Sequence, residues 1–349
     1  MTLKKIKIKN NTLKNYGRPF IVAEVGINHN GSLKRALKMI DIAKKSGCDA
    51  VKFQTFKADE LVFDKKLKFT YFSKGKKISE SMNLMFKRNE LNDFDWKKIQ
   101  KYCKQKKIVF FSTPQNLTDL KKLIKLKIPA IKVGSDDFTN IELIKSFLKF
   151  DLPTILSTGM SYKKNFEDIL SIQNISKKKI IFLLCTSEYP TKHENVHINK
   201  LDTIKKIIGN HLIGFSDHTL DNTASILAVS KGCCFFEKHF TLNNNLSGPD
   251  HWFSLNPEKL ASWVKSIRNA YDCLGKKILV PTLLEKKNIS NFKRKIVAKR
   301  LIKKGKKILL DDLSMLRTSD KSAYNANETK KIIGKKAIKD FIINEPIKL

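Results

Sequence analysis

The chain has 349 residues, 41% of them hydrophobic, and a formal net charge of +36. Such length and apolar content exclude a disordered polypeptide and accommodate one large domain plus a small one, and no apolar stretch reaches the roughly 18 to 20 residues of a membrane span, so a soluble chain without membrane partners is expected. The charge alone would point to a polyanion, but the lysines are spread over nearly every predicted helix and loop, which argues against nucleic-acid binding and leaves a modest attraction for anionic substrates.

The N-terminus, MTLKKIKIKN, alternates Lys with Ile and lacks the continuous apolar segment of a signal peptide, so a cytoplasmic location is expected. KIKIKN and NTLKNYG predict a short hairpin. A regular alternation then begins, with apolar runs of strand length followed by amphipathic segments of helical length. The runs are FIVAEVGI, AVKFQTF, IVFFSTP, AIKVGS, PTILSTGM, IIFLLCTS, LIGFSDH and FFEKHFT. Helix candidates between and after them include LKRALKMIDIAKKSG, DFDWKKIQKYCKQKK, NTASILAVSKG and PEKLASWVKSIRNAYDCLG. The segment from Phe56 to Asn92 is far longer than an ordinary strand-to-helix loop and predicts a partial lid. After Gly275 the pattern stops, and KKILVPTLLEKKNISNFK leads to a tail of short apolar runs with turn signals. The expected organisation is a barrel over residues 1–278, a linker over 279–292 and a small β-rich domain over 293–349.

Eight strand-helix units predict a closed (β/α)8 barrel, a TIM barrel, with a doubly wound sheet as the alternative. Every run carries polar residues at its C-terminal end: Glu24, Lys52 with Gln54, Ser112 with Thr113, Lys132 with Ser135, Ser157 with Thr158, Thr186 with Ser187, Ser216 to His218, and Glu237 to His239. Barrel enzymes build their sites at that rim, so together these ends predict a polar ring. The six cysteines contain no CxxC pair and read as reduced, mostly buried thiols.

His218 and His239 end consecutive strands, which suits a divalent metal; a general base with a hydrogen-bonded neighbour is the alternative. Asp217 is expected to point away or to orient a histidine. Lys52 and Lys132, with hydroxyls at Thr113, Ser135, Ser157, Ser187 and Ser216, form a cradle for a phosphate and a carboxylate. A Schiff-base lysine is the competing use. Glu24, Glu237 and Asp250, the last in GPDHWFSL, are proton-transfer candidates, whereas His29 in NHNG is as readily a turn cap.

AEVGINHNG, VKFQTF, FFSTP, IKVGS, LSTGM, CTSEYPT, GFSDHT, EKHFT and GPDHWFSL, in that order, resemble the sialic acid synthase family over the whole chain. The resemblance implies condensation of phosphoenolpyruvate with an N-acylated aminohexose by C–O cleavage, with N-acetylmannosamine and N-acetylneuraminate as the leading sugar and product. Synthases of legionaminic or pseudaminic acid are the alternatives within the family, and an inactive sugar-binding barrel is the alternative outside it. The implied metal is manganese, or else magnesium or cobalt, on His218 and His239. Lys52, Thr113, Lys132, Ser135, Ser157 and Ser216 match positions for phosphoenolpyruvate. Gln54, Ser187, Tyr189 and Asp250 match positions around the sugar, and Glu24 matches the proton-transfer position. The tail resembles an antifreeze-like (SAF) domain, which implies a domain-swapped homodimer in which Arg317 reaches the sugar's acyl group. Arg317 lies in LRTSD, where the family shows Arg-Pro-Gly.

Overall fold

The eight apolar runs form the parallel strands of one closed barrel in the computed structural model, which describes residues 4–349. They are β1 (Phe20–Gly26), β2 (Ala50–Thr55), β3 (Val109–Pro114), β4 (Ile131–Val133), β5 (Thr154–Ser157), β6 (Ile180–Cys185), β7 (Leu212–Asp217) and β8 (Phe235–His239). Each pairs with the next in chain order, and β8 returns to β1 with His239 opposite Glu24. Parallel strands covered on both faces need near-continuous apolar sequence. Accordingly β1, β6 and β7 are buried at every position.

The helices between them bury one stripe and leave lysines outside. Leu33–Lys45 buries Met39 and Ile40, and Asp93–Gln105 buries Trp96 and Ile99 behind an Asn92–Asp95 capping box. Pro257–Leu274 starts with Pro at its first turn and buries Trp263 and Ile267. Each such side chain removed from water contributes roughly 1.5–3 kcal/mol. The predicted N-terminal hairpin pairs Ile6–Ile8 with Asn11–Leu13. It packs at the end of the barrel opposite the rim, where Lys4 donates to the carbonyls of Ser176 and Lys178, just before β6.

The long insertion after β2 contains helix Ala58–Leu61, a hairpin of Lys68–Ser73 with Lys76–Ser81, and helix Met82–Lys87. Its base is clamped by Lys57 and Glu90 at 2.9 Å, and Glu80 binds both Arg88 and Tyr71.

The chain divides between Gly275 and Lys276 into two units. Within the stretch expected to link them, Leu283–Phe292 is a helix capped by Thr282 and Glu285, and it buries none of its residues. The second unit has its own core of Ile296, Ile302, Ile308, Phe341 and Ile347. Lys295–Ala298 pairs antiparallel with Leu313–Leu316 beside single bridges such as Ile302 to Phe341. Five of the six thiols are buried and all are free; Cys273 is exposed. Among the described residues no helix is long and apolar enough to cross a membrane.

Candidate active site

A cavity of about 700 Å³ opens at the C-terminal rim of the barrel. Successive strand residues point to opposite faces, so a strand end offers alternate side chains to the mouth. Lys52 and Gln54 of β2, Glu237 and His239 of β8, and Ser216 with His218 at the end of β7 line the cavity, as do Glu24, Thr113, Lys132, Ser135, Ser157, Ser187, Tyr189 and Asp250.

One side of the cavity is cationic and hydroxyl-rich. Lys52 donates to Thr113 at 3.0 Å and lies 2.8 Å from Glu24. Lys132 donates to Ser157 at 2.6 Å and to the carbonyl of Val133 at 3.0 Å. Glu237 stands 3.8 Å from Lys52 and 3.9 Å from Lys132, and accepts from Ser216 at 3.3 Å. The amide of Gly159 donates to Ser135 at 3.0 Å. A Cβ at Gly159 would stand only 2.3 Å from Ser187 Oγ, so the backbone approaches here as no other residue allows.

The two carboxylates of this half are driven apart. Burial, opposed by Lys52, raises Glu24 to about 7. Burial also raises Glu237, but Lys132 and Lys52 outweigh it and hold that carboxylate below its ordinary value. Near neutrality Glu24 exchanges a proton while Glu237 stays ionised.

Across the cavity, the rings of His218 and His239 lie 5.6 Å apart. His218 Nδ1 donates to the carbonyl of Thr186 at 2.8 Å, which leaves Nε2 as the atom that gains or loses the ring's second proton; against burial, Cys185, the Thr186 carbonyl and Asp217 raise this imidazole above its ordinary value. Burial, then the charges of His218, Lys52 and Lys132, hold His239 neutral, and its Nδ1 is buried with no hydrogen-bond partner. Asp250 Oδ2 stands 3.8 Å from that nitrogen, and burial, opposed by His218, raises its carboxyl to about 6. The register of β1 and β2 shifts between Glu24 and Gly26. Gly26, at φ +51°, leaves room there: a Cβ would lie 3.3 Å from Glu24 Oε1 and 3.4 Å from His239 Cε1.

The third wall is aromatic. Phe69, Phe72, Met85 and Phe86 of the insertion line the cavity together with Trp252 and Phe253 of the loop after β8. The insertion therefore supplies a wall of the mouth, where sequence length alone indicated a partial lid.

Several expected members of the ring turn away. Ser112 is paired with Thr55 at 2.7 Å, Thr158 donates to the carbonyl of Leu183, and Thr186 to that of Asn195. Asp217 is buried outside the cavity, bonded to Thr219, Ser225 and Lys238. His29 is also buried outside it; its Nδ1 accepts from the Gly31 amide at 3.1 Å, the turn-capping alternative. Arg317 belongs to the second unit, where its Nε donates to the Phe292 carbonyl at 3.2 Å. Sequence reasoning missed Cys185, Asp136 and the aromatic wall. Cys185 shares the strand parity of Ser187, and Asp136 adjoins Ser135 at a strand end, so both carried a signal. The aromatics carried none, because residues far apart in the chain meet only through the fold.

The NeuB family matches residues 39–279. Over 95% of its length the chain is 36% identical to the N,N'-diacetyllegionaminic acid synthase of Campylobacter jejuni, covering 99% of that protein. It is 30% identical over 91% of its length to human N-acetylneuraminate-9-phosphate synthase, covering 88% of it. Among solved structures, N-acetylneuraminic acid synthetase from Leptospira borgpetersenii in complex with citrate aligns with a TM-score of 0.73 at 29% identity, over 82% of this chain and 95% of that one.

Proposed function

The chain belongs to the NeuB family, and from that premise we propose that it joins C3 of phosphoenolpyruvate to the aldehyde of an N-acylated aminohexose, giving a nine-carbon 2-keto sugar acid and phosphate. The observation that carries this reading is the meeting, in one cavity, of two buried lysines ringed by hydroxyls with two imidazoles, that of His218 buried and that of His239 partly exposed.

In this reading Lys52 and Lys132 hold the phosphate and carboxylate of phosphoenolpyruvate, with Thr113, Ser135, Ser157 and Ser216 as directional donors. Charges removed from bulk water act there at a low effective dielectric. Gln54, Ser187, Tyr189 and Asp250 surround the sugar, and the partnerless Ser187 hydroxyl awaits a bond. As C3 attacks the aldehyde, positive character develops at C2, where water adds. Glu24 takes a proton from that water and passes it on, and as the tetrahedral intermediate collapses to the 2-keto group the C2–O bond to phosphate breaks; the water's two protons end on the former aldehyde oxygen, now a hydroxyl, and on the departing phosphate. Glu237 remains ionised between the lysines; against burial it holds Lys52, with Glu24, above its ordinary value, whereas at Lys132 it only opposes the lowering by burial.

Nε2 of His218, once deprotonated, and the partnerless nitrogen of His239 fit a divalent cation, for which manganese is the leading choice. Such a cation, when bound, polarises the aldehyde oxygen. Among the described residues no cluster of three or more His, Cys, Asp or Glu side chains is placed to hold a metal ion, so His218 and His239 would hold the cation with water and substrate oxygens. The tail, read as an antifreeze-like domain, completes the site by covering the mouth of a second copy in a homodimer, with Arg317 directed to the acyl group.

For the sugar, N-acetylmannosamine is the leading reading, although the motifs resemble both the neuraminate and the legionaminate branches. A second reading, 2,4-diacetamido-2,4,6-trideoxymannose giving N,N'-diacetyllegionaminate, is favoured by the 36% identity to a legionaminic acid synthase against 30% to an N-acetylneuraminate-9-phosphate synthase. The test is phosphate release from phosphoenolpyruvate with Mn2+, offering the two sugars in parallel beside a chelated control. Chelator-sensitive turnover is expected, and the preferred sugar separates the two readings. Turnover that survives chelation and is trapped by borohydride would replace the metal reading with a Schiff-base lysine.

A further inference from the structure

Beyond the polar groups, a continuous row of rings leads away from the histidines. His239 lies 5.5 Å from Phe253, Phe253 lies 5.8 Å from Trp252, and Trp252 lies 5.3 Å from Phe72 at the end of the insertion hairpin. The row is fastened at its outer end. The Gly248 amide donates to Ser73 Oγ at 3.3 Å, tying the hairpin to the loop that bears Trp252. Tyr71, adjacent to Phe72, is gripped by Glu80 and Arg88. Phe72 nonetheless remains 46% exposed while lining the cavity.

With the sugar aldehyde at the histidines, as proposed above, the remaining carbons run out along these rings. Phosphoenolpyruvate is anionic and gains nothing from them, and a hydroxyl-rich chain would give up water hydrogen bonds there without replacement. Methyl groups, whether of acylamino substituents or of a deoxygenated terminal carbon, gain by leaving water against an aromatic face. We infer that Phe72 and Trp252 form an aromatic clamp that selects the sugar by the apolar substituents on the carbons remote from its aldehyde. The clamp rests on the proposed reaction only for the direction in which the sugar lies, and the two residues act as specificity determinants, not on the reacting atoms.

The test compares kcat/KM for N-acetylmannosamine and for 2,4-diacetamido-2,4,6-trideoxymannose in the wild type, Phe72→Ala, Trp252→Ala and the conservative Phe72→Tyr and Trp252→Phe. One or two apolar groups in a pocket are worth roughly tenfold or more. The alanine variants should therefore lose at least about tenfold of the preference for the more apolar sugar through its KM, with the KM for phosphoenolpyruvate within about twofold and the aromatic replacements restoring most of it. An unchanged preference, or an equal rise in both KM values, overturns the clamp. Should the wild type release phosphate with neither sugar, the proposed reaction fails separately, and tryptophan fluorescence during titration with each sugar still decides the clamp. A change present in the wild type and lost in Trp252→Phe upholds it, and no change in the wild type overturns it.

Discussion

At Gly159 a side chain of even one carbon would collide with Ser187 and Ser135, two hydroxyls that line the cavity, Ser135 on its cationic side. Gly159→Ala should raise the KM for phosphoenolpyruvate by at least about tenfold while thermal unfolding stays within a few degrees of wild type; steady-state kinetics and calorimetry check both. Glu24→Gln keeps the shape and removes the proposed proton acceptor. It should lower kcat by about 100-fold or more with KM nearly unchanged, whereas a full loss of phosphoenolpyruvate binding would make Glu24 a structural partner of Lys52 instead. The residues that line the mouth were readable because strands alternate. Ser216 and His218 face in while Asp217 faces out; Glu237 and His239 face in while Lys238 faces out; Thr113 faces in while Ser112 faces out. A polar strand end alone did not separate these classes. Parity does, and it would have included Cys185 and set aside Thr158 and Thr186.

The outward members of β7 and β8 have a task of their own. Lys238 and Asp217, one step before each histidine, form a buried pair at 2.8 Å, and Ser225 donates to the same carboxylate at 2.6 Å while accepting from Trp263 at 2.8 Å. This network locks the two histidine-bearing strands to each other and to the helix layer. Removing one partner strands the other charge in the interior, so Lys238→Met should cost about 3–5 kcal/mol in urea denaturation, and adding Asp217→Leu should recover much of it. A double variant as unstable as the single one would show that the pair contributes packing and not charge balance. At this scale the barrel strands and major helices were legible from periodicity, because each apolar run needed cover on both faces. The insertion announced itself by length but not by form: Lys68–Ser73 and Lys76–Ser81 alternate only weakly and owe their pairing to the cluster of Ile27, Phe56 and Met85 beneath them.

Across the molecule, two sets of buried groups titrate in opposite senses. Burial lowers His29 to about 3 and His211 and His251 to about 4, with Arg35, Lys4 and Arg35 respectively adding to it. A histidine lowered in the fold contributes stability that is present above its unfolded value near 6.5 and lost as pH falls toward the folded value. Glu24, Asp119 and Asp250 are raised, chiefly by burial, to about 7, 6 and 6, and they gain stability as pH falls over the same range. The two sets offset each other, so the effect is best read by difference. Relative to wild type, His211→Gln should become less destabilising as pH falls from 6.5 to 4, by up to about 1.4 kcal/mol per pH unit. A difference independent of pH would mean that His211 titrates in the fold as it does in the unfolded chain. The exposed Leu283, Leu284 and Phe292 of the helix at the start of the second unit call for cover, and under the proposed homodimer the full chain should sediment as a dimer at micromolar concentration. The second unit was legible only as a small β-rich tail, since short runs broken by turns do not specify which bridges form.

The cationic half of the cavity is mounted on strand ends inside the barrel wall, whereas the aromatic half is mounted on an insertion and a terminal loop. The first cannot change without disturbing the core; the second can be exchanged as a cassette. Under the proposed function, the sugar-facing wall could therefore diverge without touching the anion cradle, and grafting the segment from Phe56 to Asn92 together with the Gly248–Phe253 loop between relatives is the natural route to retarget one of them.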